Sequence, residues 1–182
     1  MTTVINLYGG PGCGKSTTAA LLFGEMKLQG YDVELVREAA KEVAWSGEPI
    51  TDPKRLEITA EQARRERVLY GKVEFIVTDS PVVMASYYAN KYHGLAVAAA
   101  VNNMVAAHYS NKEAQHEHFA LLRLKKYNPK GRYQTEEEAR ASDEAIINHA
   151  RNALKLASMR RIVLEDRFRA QAIMMHLGME FR

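Results

Sequence analysis

The chain has 182 residues, a length typical of one compact domain, and its composition of 47% hydrophobic and 26% charged residues is that of a folded globular protein. Lys and Arg (25) only slightly outnumber Asp and Glu (22), so the net charge of +3 does not by itself indicate nucleic-acid binding. One cysteine excludes an internal disulfide, and no apolar run has the length of a membrane span. We therefore expect a cytoplasmic protein without a membrane partner.

Predicted strands and helices alternate along the chain. The apolar and β-branched runs predict strands at 2–8, 32–36, 73–78, 119–124 and 162–165. Helical periodicity and capping signals predict helices at 15–29, 37–45, 53–70 and 135–156, a mostly helical region at 84–111, and a last helix at 167–176. This alternation predicts right-handed crossovers and a parallel sheet covered on both faces. The expected fold class is a three-layer α/β domain spanning residues 1–182.

A glycine-rich segment follows the first strand. Residues 9–16 read GGPGCGKS and match the pattern GxxxxGK[ST] at every fixed position. In this pattern backbone N–H groups surround an anion, Lys15 reaches the β- and γ-phosphates, and the Ser16 hydroxyl can bind Mg²⁺. The predicted nucleotide-binding residues are Gly9, Gly10, Pro11, Gly12, Cys13, Gly14, Lys15, Ser16 and Thr17. ATP and Mg²⁺ are the expected cofactors.

Cys13 occupies a variable position within this segment. A thiol near a helix N-terminus can act as a redox switch, because its pKa is lowered there. A small residue that the loop tolerates is the favoured interpretation.

Two carboxylates follow predicted strands and are candidates for the chemistry. Asp79 comes directly after the third strand, where we expect it to hold Mg²⁺ and its water and to act in catalysis, with a turn or cap as the alternative. Glu38 follows the second strand and could be the general base for an acceptor hydroxyl. A solvated glutamate at a helix start is an equally good interpretation of Glu38.

The positive charge of the chain is concentrated after the fourth strand. Residues 121–133 contain five cations and no acid, and Asn-Pro-Lys-Gly at 128–131 is typical of a turn. We predict a lid at about 123–135 whose catalytic residues are Arg123 and Arg132, with Lys130 binding substrate. A charged, solvated loop is the alternative.

Other polar groups give weaker predictions. Arg64 and Arg67 lie on one face of a predicted helix and could bind an acceptor phosphate or a nucleic-acid backbone, although a solvated face is the commoner meaning. His116 and His118 would point the same way in an extended segment, but surface histidines are a better interpretation than a metal site. Tyr88 and its neighbouring tyrosines could stack a base, and packing is favoured over that role.

Three of these motifs together resemble a known family. The phosphate loop, Thr-Asp-Ser-Pro at 78–81, and Tyr-Asn-Pro-Lys-Gly-Arg at 127–132 followed by Thr-Glu-Glu-Glu at 135–138 are similar to bacteriophage P-loop kinases. That group is distantly similar to thymidylate and nucleoside kinases and includes kinases of 5-hydroxymethyl-deoxyuridine in phage DNA. The resemblance implies ATP, Mg²⁺, a five-stranded sheet of order 2-3-1-4-5, a lid at 123–132, and the host cytoplasm for a phage-encoded enzyme.

The sequence therefore predicts a kinase that transfers the γ-phosphate of ATP to a hydroxyl of a nucleoside-like acceptor. Modified double-stranded DNA carrying 5-hydroxymethyluracil is the favoured partner, with free nucleotides, nucleosides and nicotinamide riboside as alternatives. Thymidylate kinases usually have Asp-Arg where this chain has Asp79 and Ser80, which disfavours dTMP. A P-loop ATPase acting as a regulatory switch is a further alternative, and the sequence gives no oligomeric state.

Overall fold

The computed structural model describes residues 1–124, 127–128, 130 and 133–179. Its centre is a five-stranded sheet with the order β2-β3-β1-β4-β5, in which every pairing is parallel. The strands are β1 (Thr2–Tyr8), β2 (Val33–Val36), β3 (Phe75–Thr78), β4 (Ala114–Leu121) and β5 (Arg160–Ile162). The predicted sheet order is confirmed.

Helices cover both faces of this sheet. They are α1 (Lys15–Leu28), α2 (Ala40–Ser46), α3 (Asp52–Arg67), α4 (Val83–Tyr92), α5 (Leu95–Tyr109), α6 (Glu136–Ala153) and α7 (Asp166–His176). Leu22 and Met26 of α1 and Ile173 of α7 pack in one core with Leu7 of β1. Residues of α3, α4, α5 and α6 form a second core with Tyr8 on the other face. The predicted three layers are confirmed.

Two predicted strand boundaries are wrong, and the region predicted as mostly helical consists of two helices. β4 begins at Ala114 rather than 119. Its first half is polar, so hydrophobicity did not indicate a strand there. This half nevertheless pairs with β1, and Gln115 Nε2 donates to Thr3 Oγ1 (2.8 Å). β5 is the exposed edge strand at 160–162, whereas the apolar residues that suggested 162–165 include the exposed Val163. The helical region at 84–111 is two helices, α4 and α5, separated at 93–94.

The strand ends bring the candidate chemistry to one edge of the sheet. β1 and β3 pair so that Asn6 lies beside Thr78, and β2 and β3 pair so that Val36 lies beside Thr78. The segments that follow these strands carry the phosphate loop, Asp79 and Glu38. Ligands of open α/β sheets bind outside these carboxyl ends.

Candidate active site

The loop at 9–14 joins β1 directly to α1. Gly14 precedes the helix with φ +100°, and a Cβ atom there would lie 2.5 Å from Asp166 Oδ1, so both the backbone conformation and the space require glycine. The Lys15 side chain folds across the loop, and Nζ donates hydrogen bonds to the carbonyl oxygens of Gly9 (2.8 Å) and Gly10 (3.1 Å). The ammonium is thus held within the loop.

An ion pair from α6 holds the outer side of this loop. Arg123 Nε and Nη2 donate to the two carboxylate oxygens of Asp143 (2.8 Å each), and Nη2 also donates to the carbonyl oxygen of Pro11 (2.8 Å). Asp143 in turn accepts the backbone N–H of Gly10 (3.0 Å), and the hydrogen bonds from Arg123 to the Asp143 carboxylate raise the pKa of the guanidinium. Arg123, predicted as a catalytic residue of the lid, has a buried side chain that braces the loop.

A second arginine, which sequence reasoning missed, braces the loop from α7. Arg169 is fully buried and donates to three backbone carbonyl oxygens, those of Cys13 (2.8 Å), Leu122 (2.6 Å) and Leu164 (2.7 Å). It also forms an ion pair with Asp166 at 2.8 Å. The residue lies in an ordinary amphipathic helix, so only its tertiary contacts distinguish it from a solvated arginine.

Cys13 points into the core rather than toward the open side of the loop. Its side chain is fully buried and packs with the cluster that includes Leu22 and Ile173. Only its backbone is therefore placed to serve the loop, and burial withholds the thiol from the solvent access that a redox switch needs.

The two candidate carboxylates are adjacent. The backbone N–H of Glu38 donates to Asp79 Oδ1 at 3.0 Å, which ties the segment after β2 to the end of β3. Because α2 begins only at Ala40, Glu38 lies in the loop before the helix and not in its first turn. Asp79 is 4% exposed, and Glu38 is half-buried at the rim of the central cavity.

A cavity of about 240 Å³ opens beside the phosphate loop. Its floor includes Lys15, Ser16 and Thr17, and its far wall is built by α2, α3 and α4 with Tyr133. The polar side chains on that far wall are Glu38, Lys41, Arg55, Gln62 and Tyr88. The cavity thus extends from the phosphate loop to the helices of the far wall.

The structure does not bring all predicted residues to this cavity. Arg64 and Arg67 are exposed on the part of α3 that does not line it, and Arg64 forms a bidentate ion pair with Glu61 (2.7 and 2.9 Å). Lys130 is exposed and is not a lining residue. Arg132 lies outside the described residues. The polar α3 residues that do line the cavity, Arg55 and Gln62, carried no sequence motif.

The histidines of β4 are not surface residues, contrary to the prediction. His116 and His118 are half-buried under α5, where Tyr109 packs on His116 and the Tyr8 hydroxyl lies 2.8 Å from His118 Nδ1. Burial lowers the pKa of His116 to about 3 and that of His118 to about 4. Among the described residues no group of three His, Cys, Asp or Glu side chains could hold a metal ion.

Oxygen ligands suited to Mg²⁺ are nevertheless present at the loop. Ser16 offers an exposed hydroxyl in the first turn of α1, and Asp79 offers a carboxylate at the end of the neighbouring strand. Hydroxyl and carboxylate oxygens are the protein ligands that Mg²⁺ prefers. The donor set therefore fits this ion.

A parallel sheet of this order, with a GxxxxGKS loop between β1 and α1 and acids after β2 and β3, defines the P-loop kinase fold. The chain belongs to the AAA_28 family of AAA domains, whose model matches residues 4–167. None of the curated proteins matches it in sequence.

Solved structures extend the comparison of folds. The chain is similar to NadR protein in complex with NAD and AMP-PNP (TM-score 0.68, 13% identity) and to NadR protein in complex with NR (TM-score 0.68, 13% identity). The alignments cover 100% of this chain and 51% and 53% of the two NadR chains, so the chain spans about half their length. At this identity the likeness concerns the fold. In the described part of the chain, no helix combines the length and the apolarity needed to cross a bilayer.

Proposed function

We propose that this protein is an ATP-dependent kinase that transfers the γ-phosphate to a hydroxyl of a nucleoside-like acceptor. One observation carries the proposal: the phosphate loop opens onto a cavity whose far wall carries a carboxylate, two buried donor side chains and an aromatic ring. A nucleotide hydrolase needs to admit only water beside the phosphates, whereas a kinase needs a shaped second site. The NadR structures with AMP-PNP and with NR support this proposal at the level of the fold.

The residues would divide the work as follows. Lys15 and the loop N–H groups would bind the β- and γ-phosphates, while Arg123 and Arg169 keep the loop carbonyls turned outward. Ser16 and Asp79 would hold Mg²⁺, which neutralises phosphate charge when bound. Glu38, placed at the cavity and tied to Asp79 through its backbone, would accept the proton of the acceptor hydroxyl.

We further propose that a lid after β4 closes over the phosphates. This lid would comprise about 123–135, with Arg123 as its fixed base rather than a moving group. Arg132 would be its catalytic cation and Lys130 a contact to the substrate. The single domain would span residues 1–182.

For the acceptor we propose 5-hydroxymethyluracil in DNA, on the strength of the resemblance to phage kinases. Two features are in keeping with a large acceptor: Trp45 is 59% exposed on α2, one of the helices that build the cavity wall, and the segment after β4 is basic. Free nucleosides or nucleotides and nicotinamide riboside are the alternatives within the same reaction. A regulatory ATPase is the alternative outside it.

The test is the fate of γ-labelled phosphate. We expect label on hydroxymethyluracil-containing DNA when protein, ATP and Mg²⁺ are present, and strongly reduced transfer with Lys15→Met. Transfer to free nucleosides or nicotinamide riboside but never to DNA would remove the DNA acceptor. Label released only as inorganic phosphate, whatever the acceptor, would contradict the kinase and favour the ATPase.

A further inference from the structure

The α3 wall of the cavity carries two buried polar side chains. Arg55, Ile58 and Gln62 recur at helical spacing, which places them on one stripe of α3, and all three line the cavity. Arg55 is 6% exposed and Gln62 is 4% exposed. Buried polar groups in proteins are almost always hydrogen-bonded, so any that lack a partner need an explanation.

Gln62 presents a donor of fixed direction. Its Oε1 accepts the backbone N–H of Ala39 at 2.9 Å, and since that partner can only donate, the orientation of the amide is determined. Nε2 is buried and has no acceptor among the described residues. The cavity is therefore bordered by an N–H₂ group that requires a hydrogen-bond acceptor.

Arg55 is held in position by a chain of two further residues. Its Nε donates to His93 Nε2 (3.4 Å), and His93 Nδ1 lies 2.6 Å from Asp52 Oδ1. Because an arginine can only donate, His93 must accept at Nε2 and carry its proton on Nδ1, which it donates to Asp52. The guanidinium also lies 5.7 Å from the centre of the Tyr88 ring. The guanidinium is thus held at the edge of the cavity that Arg55 lines.

The charges around Arg55 favour a neutral oxygen over a phosphate as its partner. Burial lowers the pKa of the guanidinium, and Tyr88 and Glu38 act in the opposite direction. Glu38 already balances part of the positive charge, and a phosphate placed here would meet that carboxylate. Ile50, Ile58 and Met84 add apolar surface suited to the faces of a flat ring.

We propose that Arg55 and Gln62 form a recognition subsite for a planar ring whose edge carries carbonyl oxygens, as in a pyrimidine-2,4-dione. Asp52 and His93 are positioning residues for Arg55, and the backbone of Ala39 positions Gln62. The inference rests on the proposed function for the identity of the cavity as the acceptor site. It adds the property by which the acceptor is selected, a ring that accepts hydrogen bonds.

The test uses two probes that differ at one position. 5-Hydroxymethyl-2′-deoxyuridine has a carbonyl at C4, and 5-hydroxymethyl-2′-deoxycytidine has an amino group there. Binding of each to the AMP-PNP-loaded protein is measured by calorimetry, and we expect the uridine probe to bind about tenfold tighter. Gln62→Glu replaces the donor by an acceptor and keeps a partner for Ala39, so the ratio of the two affinities should fall about tenfold.

Arg55→Met should lower the affinity for the uridine probe about tenfold. The control for loss of a guanidinium is Arg140→Met, which changes an exposed arginine of α6. A wild-type protein that binds neither probe, or a ratio that Gln62→Glu leaves unchanged, would overturn the subsite. Tighter binding of nicotinamide riboside than of the uridine probe would also contradict the dione. A shifted ratio together with no phosphate transfer to any acceptor, DNA included, would uphold the subsite and refute the kinase.

Discussion

At the scale of single residues, the residue types in the phosphate loop are restricted by the packing of α6 as well as by the phosphate-binding motif. Glycine at position 10 is required by the close approach of α6, since a Cβ atom would lie 2.2 Å from Asp143 Oδ1 and 2.6 Å from the carbonyl oxygen of Ala139. The consensus pattern leaves this position variable. The requirement therefore comes from tertiary packing.

Gly10→Ala should destabilise the fold by about 1–3 kcal/mol, because α6 and the loop must move apart. The matched control is Gly24→Ala in α1, where no atom lies within 4 Å of an added Cβ and the better helix propensity should add up to about 1 kcal/mol of stability. Urea midpoints of the two variants check this. Equal midpoints would show that the loop tolerates the displacement.

Lys15→Met should reduce phosphoryl transfer by about 10²–10³-fold, since it removes the cation of the phosphate loop. Among the described residues the side chain bonds only to the Gly9 and Gly10 carbonyls, so the midpoint of unfolding should change little. Lys27→Met is the control, a lysine of the same helix that pairs with Glu34 on the surface. Label transfer at saturating ATP measures the effect, and equal rates for the two variants would contradict the assignment.

At the scale of elements, local sequence patterns correctly predicted the N-terminal cap of α6 and the presence of five strands. The capping box of α6 is confirmed, with Glu138 N donating to Thr135 Oγ1 (3.2 Å) and Thr135 N donating to Glu138 Oε2 (2.8 Å). The five strands and their order are also confirmed. The contacts of Arg169 and Asp143 with the phosphate loop could not be predicted. In the sequence, a charged residue on a helix that will be buried cannot be distinguished from one that faces solvent.

Docking of α7 against the loop gives a prediction for Arg169→Met. The change removes the donor to three buried carbonyls and the cation of the Asp166 ion pair, and we expect a loss of about 3 kcal/mol in the free energy of unfolding. At temperatures where the variant remains folded, AMP-PNP affinity should also fall, because the Cys13 carbonyl is released. Arg167→Met, whose side chain is 73% exposed, should change neither quantity. Lost stability with unchanged nucleotide affinity would limit Arg169 to a structural role.

At the scale of the whole molecule, a polar cluster lies between β1, β4 and helices α3 and α5. Glu66 and His108 are both fully buried, with Oε2 and Nε2 2.9 Å apart, and the Tyr70 hydroxyl is 3.0 Å from the same nitrogen. His116 and His118 extend the cluster along β4, beside Tyr109, Tyr8 and Asn6. The sequence did not predict this cluster. The apolar residues of β4 suggest a start at 119, whereas the strand begins at Ala114, so His116 and His118 belong to it and face helix α5.

This cluster predicts that the protein loses stability in mild acid. The pKa values of His116 (about 3) and His118 (about 4) lie below the unfolded value of 6.5, so below pH 6.5 the unfolded chain binds protons that the folded chain does not. The loss begins as pH falls through 6.5 and continues until it reaches the folded values. At pH 5 it should amount to about 2 kcal/mol for each imidazole.

Urea unfolding at pH 7 and pH 5 measures this loss directly. The double variant His116→Gln with His118→Gln should be less stable at pH 7, because the bond to the Tyr8 hydroxyl changes, and its stability should depend far less on pH. The difference between the two pH values is the decisive quantity, since it is independent of the stability that the substitutions themselves remove. The same pH difference in both proteins would assign the acid sensitivity to other groups and contradict the neutral, buried state of these imidazoles.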